Sequence, residues 1–265
     1  MLDLKGHAAL VTGSSKGVGR SIAEAYARAG ADVVIHALTM SEDAREVMDR
    51  CAEAGARTSF IAGDLSEPTE AAVDALFRAA IDAQPGLDIL VNNAGQHFDI
   101  PFASMTHELF EKTMRLNVSS AYFLTQAFAR RWIEQSVPGR VLFIGSINGR
   151  LAEVTSTAYD ISKGAVEMMV RTLCVALAPH KIRVNGLAPG LVRTPQTEFL
   201  EKNPAYTEWM IHHTPNAEIP HSDVCGPGAV YLVSDAAEHV HGHMLLIDGG
   251  LGAWQQPLPP DGRLA

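Results

Sequence analysis

The chain has 265 residues, 47% of them hydrophobic and 19% charged, with a formal net charge of −9. That is enough apolar material for a buried parallel sheet with helices on both faces. An acidic chain without a basic block excludes nucleic acid and anionic membranes as expected partners, and no apolar stretch approaches the roughly 18 residues of a membrane span.

The first apolar run, Ala8-Ala-Leu-Val-Thr12, leads into Gly13-Ser-Ser-Lys-Gly17-Val-Gly19, after which Ile22, Ala23, Ala25, Tyr26 and Ala29 keep helical spacing as far as Gly30. A strand therefore enters a glycine-rich turn that opens a helix. The glycines permit a tight turn and close backbone approach, and the free N–H groups and dipole of the helix favour phosphate. This points to a dinucleotide site. Further strands are expected near 32–37, 58–62, 87–92, 140–146, 181–187 and 243–248. Helices are expected near 18–30, 41–55, 68–84, 106–136, 157–178 and 222–235. Alternation of this kind implies βαβ units with right-handed crossovers, hence an α/β doubly wound parallel sheet. No linker, repeat or low-complexity tract divides the chain, so residues 1–265 read as a single domain.

In such sheets ligands sit beyond the carboxyl ends of the strands. Gly13, Asp64, Asn92, Ser146 and Pro189 all fall just past a strand end, so residues distant in sequence converge on one edge. Between about 190 and 221 the rhythm breaks. Pro195, Pro204, Pro215 and Pro220 flank a short helical pattern with Tyr206 and Trp209, which reads as a lid at the ligand edge. Eleven histidines invite a metal reading. Neither His239/His241/His243 nor His212-His213 has metal-ligand spacing, so no metal is expected. Cys51, Cys174 and Cys225 are widely spaced. The first strand starts almost at once, leaving no room for a leader, so a reducing, cytoplasmic setting is expected.

Tyr159 and Lys163, four apart on a helix, share one face. A free phenol has a pKa of roughly 10. A cation about 4 Å away in a shielded site contributes on the order of 4 kcal/mol to the phenolate, or roughly three pKa units before desolvation. Tyr159 could then exchange a proton near neutrality, as alcohol–carbonyl redox chemistry requires.

The turn spacing G-x-x-x-G-x-G, Asn92-Asn-Ala-Gly95, Asn117, Ser146 and Tyr159/Lys163, in that order, strongly resemble the short-chain dehydrogenase/reductase family. The likeness runs from Thr12 to Asp248-Gly-Gly250 and implies a Rossmann-type fold. It implies Tyr159 as general acid/base and Lys163 as both modulator of the phenol and ligand of the nicotinamide ribose. Ser146 would hydrogen-bond the substrate oxygen, and Asn117 would sit at a helix kink, linking Lys163 to solvent through an ordered water. The dinucleotide would lie on Gly13, Ser15, Lys16, Gly17, Val18 and Gly19. Asp64 and Leu65 would serve its adenine, Asn92, Ala94 and Gly95 its ribose and phosphates, and Pro189, Gly190, Val192 and Thr194 its carboxamide.

The end of the second strand, His36-Ala37-Leu38-Thr39, lacks the carboxylate that would repel a 2′-phosphate, and Lys16 adds a cation nearby. The cofactor is therefore expected to be NADP, with NAD the alternative. Substrate-facing candidates are Gln96, His97, Ser146, Asn148, Arg150 and Glu153, with Glu198, Tyr206 and Trp209 on the lid. These are polar, which suits a small sugar, sugar acid or polyol better than a steroid. A 3-oxoacyl thioester is the alternative substrate, though an acidic carrier would want a basic patch. A non-catalytic nucleotide sensor is disfavoured because all four catalytic positions are filled. The helices near 106–136 and 157–178 are apolar around more of their circumference than one sheet face requires, with Tyr122, Phe123, Phe128 and Trp132 on the first and Ile161, Met168, Val170 and Val175 on the second. They are expected to pair with symmetry mates, and the family resemblance suggests a tetramer.

Overall fold

The structure is a computed structural model and describes residues 2–253. Seven parallel strands, β1 (Ala8–Val11), β2 (Asp32–Ala37), β3 (Thr58–Ala62), β4 (Ile89–Asn92), β5 (Arg140–Ile144), β6 (Arg183–Pro189) and β7 (Met244–Ile247), form one sheet in the order 3-2-1-4-5-6-7. Register places Leu10 between Val34 and Leu90. The helices are α1 (Gly17–Arg28), α2 (Glu42–Glu53), α3 (Thr69–Ala83), α4 (His107–Met114), α5 (Ser120–Gln135), α6 (Thr157–Leu177), α7 (Phe199–Lys202), α8 (Pro204–His212) and α9 (Cys225–Val233). This is the expected doubly wound, Rossmann-type arrangement.

Side-chain alternation along each strand feeds two cores. Leu10, Val34, Leu90 and Phe143 face α3, α5 and α6, where Leu76, Phe128, Trp132 and Val170 meet them. Ala9, Val11, Val33, Ile35 and Leu142 face the other way, onto Ile22 and Tyr26 of α1, Val47 of α2 and Ala229 of α9. Strands buried on both faces explain their near-continuous apolar runs.

The strand order reverses between β1 and β4. The two chains leaving those strands diverge there, which opens a crevice at the carboxyl edge. The helix expected over 106–136 is in fact two helices joined by a π-helical turn, Arg115–Ser119. That wider turn contains Asn117, where the family resemblance implies a kink. Such turns inside α-helices frequently mark functional sites. Among the described residues, no helix is long and apolar enough to cross a membrane, and no group of three or more His, Cys, Asp or Glu could hold a metal ion.

Candidate active site

The start of α1 is bare. Its N-cap, Lys16, is extended, no side chain caps the first turn, and that turn carries no acid. The next helix is treated differently. Ser41 accepts from Ala44 N, and Glu42 and Asp43 occupy the first turn of α2. Unsatisfied N–H groups at the positive end of α1 are thus left for a ligand. Gly13 (φ 62°) and Gly17 (φ 56°) adopt left-handed backbone that L-residues avoid. Gly19 is required for another reason, because a Cβ there would run into the Asn93 amide and the Gly13 carbonyl. The cradle fits a dinucleotide phosphate on this geometry alone.

Three residues that sequence reasoning passed over hold the cradle in place. Thr12 Oγ1 donates to Val91 O and accepts from both Asn93 N and Ala94 N at 3.0 Å. Asn93 Nδ2 donates to Thr12 O at 2.8 Å and Gly13 O at 2.9 Å. Buried His36 accepts from Gly13 N on Nδ1 at 3.1 Å, and its Nε2 lies 3.2 Å from Gly63 O. Burial pushes its pKa down to about 4, so the ring is neutral with the proton on Nε2. The doubled Asn92-Asn93 was the available signal for Asn93. Nothing local marked His36.

Several side chains assigned to the cofactor point elsewhere. Asn92 Nδ2 donates to Thr125 Oγ1 at 2.9 Å inside the core, and Leu65 is buried in the core, so only their backbones can face a ligand. Lys16 Nζ sits 2.8 Å from Asp43 Oδ2 rather than free beside the second strand. Both side chains are about half exposed, and such pairs open at little cost. Ala37 and Leu38 bring no carboxylate to that strand end, and Leu38 is exposed. Asp64 is exposed, with Oδ1 accepting from Ser66 N. Gly95, Pro189, Gly190, Val192 and Thr194 line the same edge. Gly17 and Thr194 are near neighbours, since a Cβ on Gly17 would lie 3.4 Å from Thr194 Cγ2.

Ser146 follows β5, and Tyr159 and Lys163 lie in the first two turns of α6. Lys163 is buried, and its Nζ donates to Ile144 O at 2.8 Å and stands 5.5 Å from the Tyr159 ring centroid. The expected lowering of the phenol by this ammonium is not what the geometry gives. Burial raises Tyr159 to about 12, a hydrogen bond from Ser146 opposes this, and Glu153 and Asp160 add to it. Burial also lowers Lys163 to about 8. Desolvation is the largest cause of the shift in both groups. Asn117 is buried, donates to Gln96 O and to Ser162 Oγ at 3.0 Å each, and accepts from Gln96 N at 2.9 Å. It ties the loop after β4 to the second turn of α6.

His97, Ser146 and Glu153 lie by Tyr159, Asn148 is bonded to Ser146 and Asp160, and Gln96 is held by Asn117. The His97 ring stands edge to face with the tyrosine, centroids 4.9 Å apart, and its Nε2 lies 2.8 Å from Ser156 Oγ. Asp160 anchors the loop, accepting from Asn148 Nδ2 at 2.8 Å and Glu153 N at 2.9 Å. Arg150 does not join them. Its Nε reaches both oxygens of Glu167 at 3.0 Å, because a carboxylate buried on α6 needs a partner. Across the opening, Tyr206 on α8 lies near Glu153 and Asp99, whose charges add to burial in raising its hydroxyl.

A family model described as enoyl-(acyl carrier protein) reductase matches residues 13–252. The 5-keto-D-gluconate 5-reductase of Escherichia coli K12 is 32% identical over 251 residues, which cover 95% of this chain and 97% of the relative. The L-rhamnose 1-dehydrogenase (NADP(+)) of Thermoplasma acidophilum is 33% identical over 251 residues, 95% of this chain and 98% of the relative. The crystal structure of a gluconate 5-dehydrogenase from Burkholderia cenocepacia J2315, in complex with NADP and tartrate, matches with a TM-score of 0.88 at 32% identity, covering 96% of this chain and 98% of that one. The chain belongs to the short-chain dehydrogenase/reductase family and is an NAD(P)-dependent oxidoreductase.

Proposed function

We propose that the protein uses NADP to interconvert a secondary alcohol and a ketone on a small polar sugar, sugar acid or polyol. The observation that carries this reading is the meeting of Tyr159, Ser146 and Lys163 with the uncapped start of α1 on one edge of the sheet. The relatives named for gluconate and rhamnose support the substrate class, and the NADP in a relative's name and in a neighbour's crystal structure supports the cofactor. Among residues 36–39 no carboxylate stands against a 2′-phosphate. Lys16 can swing from Asp43 to meet one, since an exposed ion pair holds it by no more than about 1 kcal/mol.

Bound NADP would supply the hydride donor or acceptor. The first-turn N–H groups of α1, with Ser15 and the backbone of Gly17 and Val18, hold its phosphates. The Asn92–Gly95 loop and Pro189–Thr194 flank the rest. Tyr159 Oη gives its proton to the substrate oxygen during reduction and takes it back during oxidation. Burial keeps the phenol protonated at neutral pH, so the resting form is set as the donor. Ser146 Oγ donates to the same oxygen and strengthens as charge builds there. Lys163 spends one N–H on Ile144 O and has others for the nicotinamide ribose. With Asn117 at the π turn, it returns a proton to Tyr159 from solvent.

The segment 190–221, with α7 and α8, acts as the lid. Initial-rate screening of sugars, sugar acids, polyols and oxoacyl esters with NADP(H) and NAD(H) tests the proposal. Turnover of a sugar-class ketone or alcohol supports it, and turnover confined to oxoacyl thioesters overturns it.

The same reading extends to assembly. On α5 and α6, Phe128, Trp132, Val166 and Val170 are buried against the sheet, while Tyr122, Phe123, Ile161, Met168 and Val175 are exposed. A stripe of this size on two neighbouring helices favours pairing with a second copy, giving a dimer. The open edge of β7 is the candidate for a second contact that makes a tetramer. The carboxyl-terminal tail that the family resemblance adds to this contact lies outside the described residues. Free Cys51, Cys174 and Cys225 fit work in the reducing cytoplasm.

A further inference from the structure

The wall of the pocket facing Tyr159 is built to accept hydrogen bonds. Ser156 is buried and gives its single hydroxyl proton to Glu153 Oε2 at 3.1 Å. Its oxygen then accepts from His97 Nε2 at 2.8 Å. In the neutral ring this order puts the proton on Nε2 and leaves Nδ1 as a lone-pair acceptor. Nδ1 has no hydrogen-bond partner among the described residues, and the ring lies against Tyr159.

Apart from the buried ammonium of Lys163, which donates to Ile144 O, the charges nearby are negative. Glu153 and Asp160 are the charged groups that act on the Tyr159 phenol, and Glu153 and Asp99 act on Tyr206. The guanidinium of the same loop, Arg150, is committed to Glu167 together with Arg171. Over the opening, Phe199, Tyr206 and Trp209 form a half-exposed aromatic row with centroids 5.8 and 5.9 Å apart.

We infer that the substrate is a neutral polyhydroxylated molecule, a sugar or polyol without a carboxylate, whose hydroxyls donate to His97 Nδ1 and to the Glu153 and Asp99 carboxylates. Its C–H face lies on the aromatic row. A sugar hydroxyl is a good donor to each of these acceptors. A sugar acid brought to the same place meets like charge, with Arg150 held by Glu167 and Lys163 buried on Ile144 O. The inference rests on the sugar-class reading above and narrows it.

The test compares kcat/KM, at saturating cofactor, for pairs with the same carbon skeleton, one neutral and one bearing a carboxylate. The neutral member is expected to lead by at least tenfold. Glu153→Gln removes the charge and releases the tautomer of His97, and should reduce that lead several-fold. Asp99→Asn, which leaves the Ser156 chain intact, should reduce it by a smaller factor. Acids that outrun their neutral partners in the wild-type protein overturn the inference and leave the sugar-class reading standing. If neither member of any pair turns over while an oxoacyl thioester does, the sugar-class reading falls and this one with it. An unchanged ratio in both folded variants, with folding checked by melting temperature, overturns the role given to the two carboxylates.

Discussion

The cradle at the β1–α1 turn and the pocket around Tyr159 lie on the same edge of the same sheet, yet they are made of different material. The cradle is backbone held by side chains: Thr12, Asn93 and His36 all spend their hydrogen bonds on main-chain groups. The pocket is side chain carried on loops. His97, Glu153 and Tyr206 come from three separate segments, and Tyr206 belongs to a helix whose aromatic residues are half exposed. A site built from backbone reads what every dinucleotide shares. One built from mobile side chains can be retuned for a particular substrate without disturbing the sheet. The two helix starts sharpen the point. Both α1 and α2 follow strands, but α2 satisfies its own N–H groups while α1 leaves them for a ligand.

The most severe separation of the two regions should come from Tyr159→Phe. Turnover is expected to fall by about 10²- to 10⁴-fold, the worth of a positioned acid/base, with NADP(H) affinity by fluorescence titration almost unchanged. Near-normal turnover would remove Tyr159 from its role. Gly19→Ala attacks the cradle instead. Its methyl meets Asn93 and Gly13 O, so the loop must shift, at roughly 1–3 kcal/mol. NADP(H) affinity should drop about tenfold or more together with thermal stability. Retained affinity would show that Asn93 can yield.

Ala37→Asp should move the NADP/NAD ratio of kcat/KM toward NAD by on the order of 1–3 kcal/mol. An unmoved ratio would mean that residues 36–39 do not face the ribose. The pH dependence of the cofactor-free protein offers a subtler measure. Lys163 is lowered to about 8 when folded, against about 10.4 unfolded, so between those values the unfolded chain holds more protons. This group therefore adds stability as pH rises through that window, and the contribution is lost as pH falls through 8. Melting temperatures between pH 8 and 9 should show that rise in the wild type, before the buried thiols of Cys51 and Cys225, raised to about 12, oppose it, and Lys163→Met should flatten it. The smallest effect is expected from Ser41→Ala, which costs about 1 kcal/mol of stability by uncapping α2 and leaves cofactor affinity and turnover alone. A change in cofactor affinity would mean that the start of α2 bears on the cradle after all.

The sequence by itself determined the strand and helix order, the parallel sheet and the family, because these rest on local signals: apolar runs with strand or helix length, the spacing of Gly13, Gly17 and Gly19, and Tyr159 four residues before Lys163. Tertiary structure alone decided which neighbour each polar group meets. Asn92 and Asn93 are adjacent and chemically identical, yet one turns into the core toward Thr125 and the other locks the glycine turn, since successive side chains leave a strand on opposite faces. Arg150 reads as a pocket residue until Glu167, 17 residues away, supplies a buried carboxylate to hold it. The expected effect of Lys163 on the phenol failed for the same reason. Spacing along a helix gives proximity, whereas burial, here the largest cause of the shift in both groups, depends on what the rest of the chain packs around the pair.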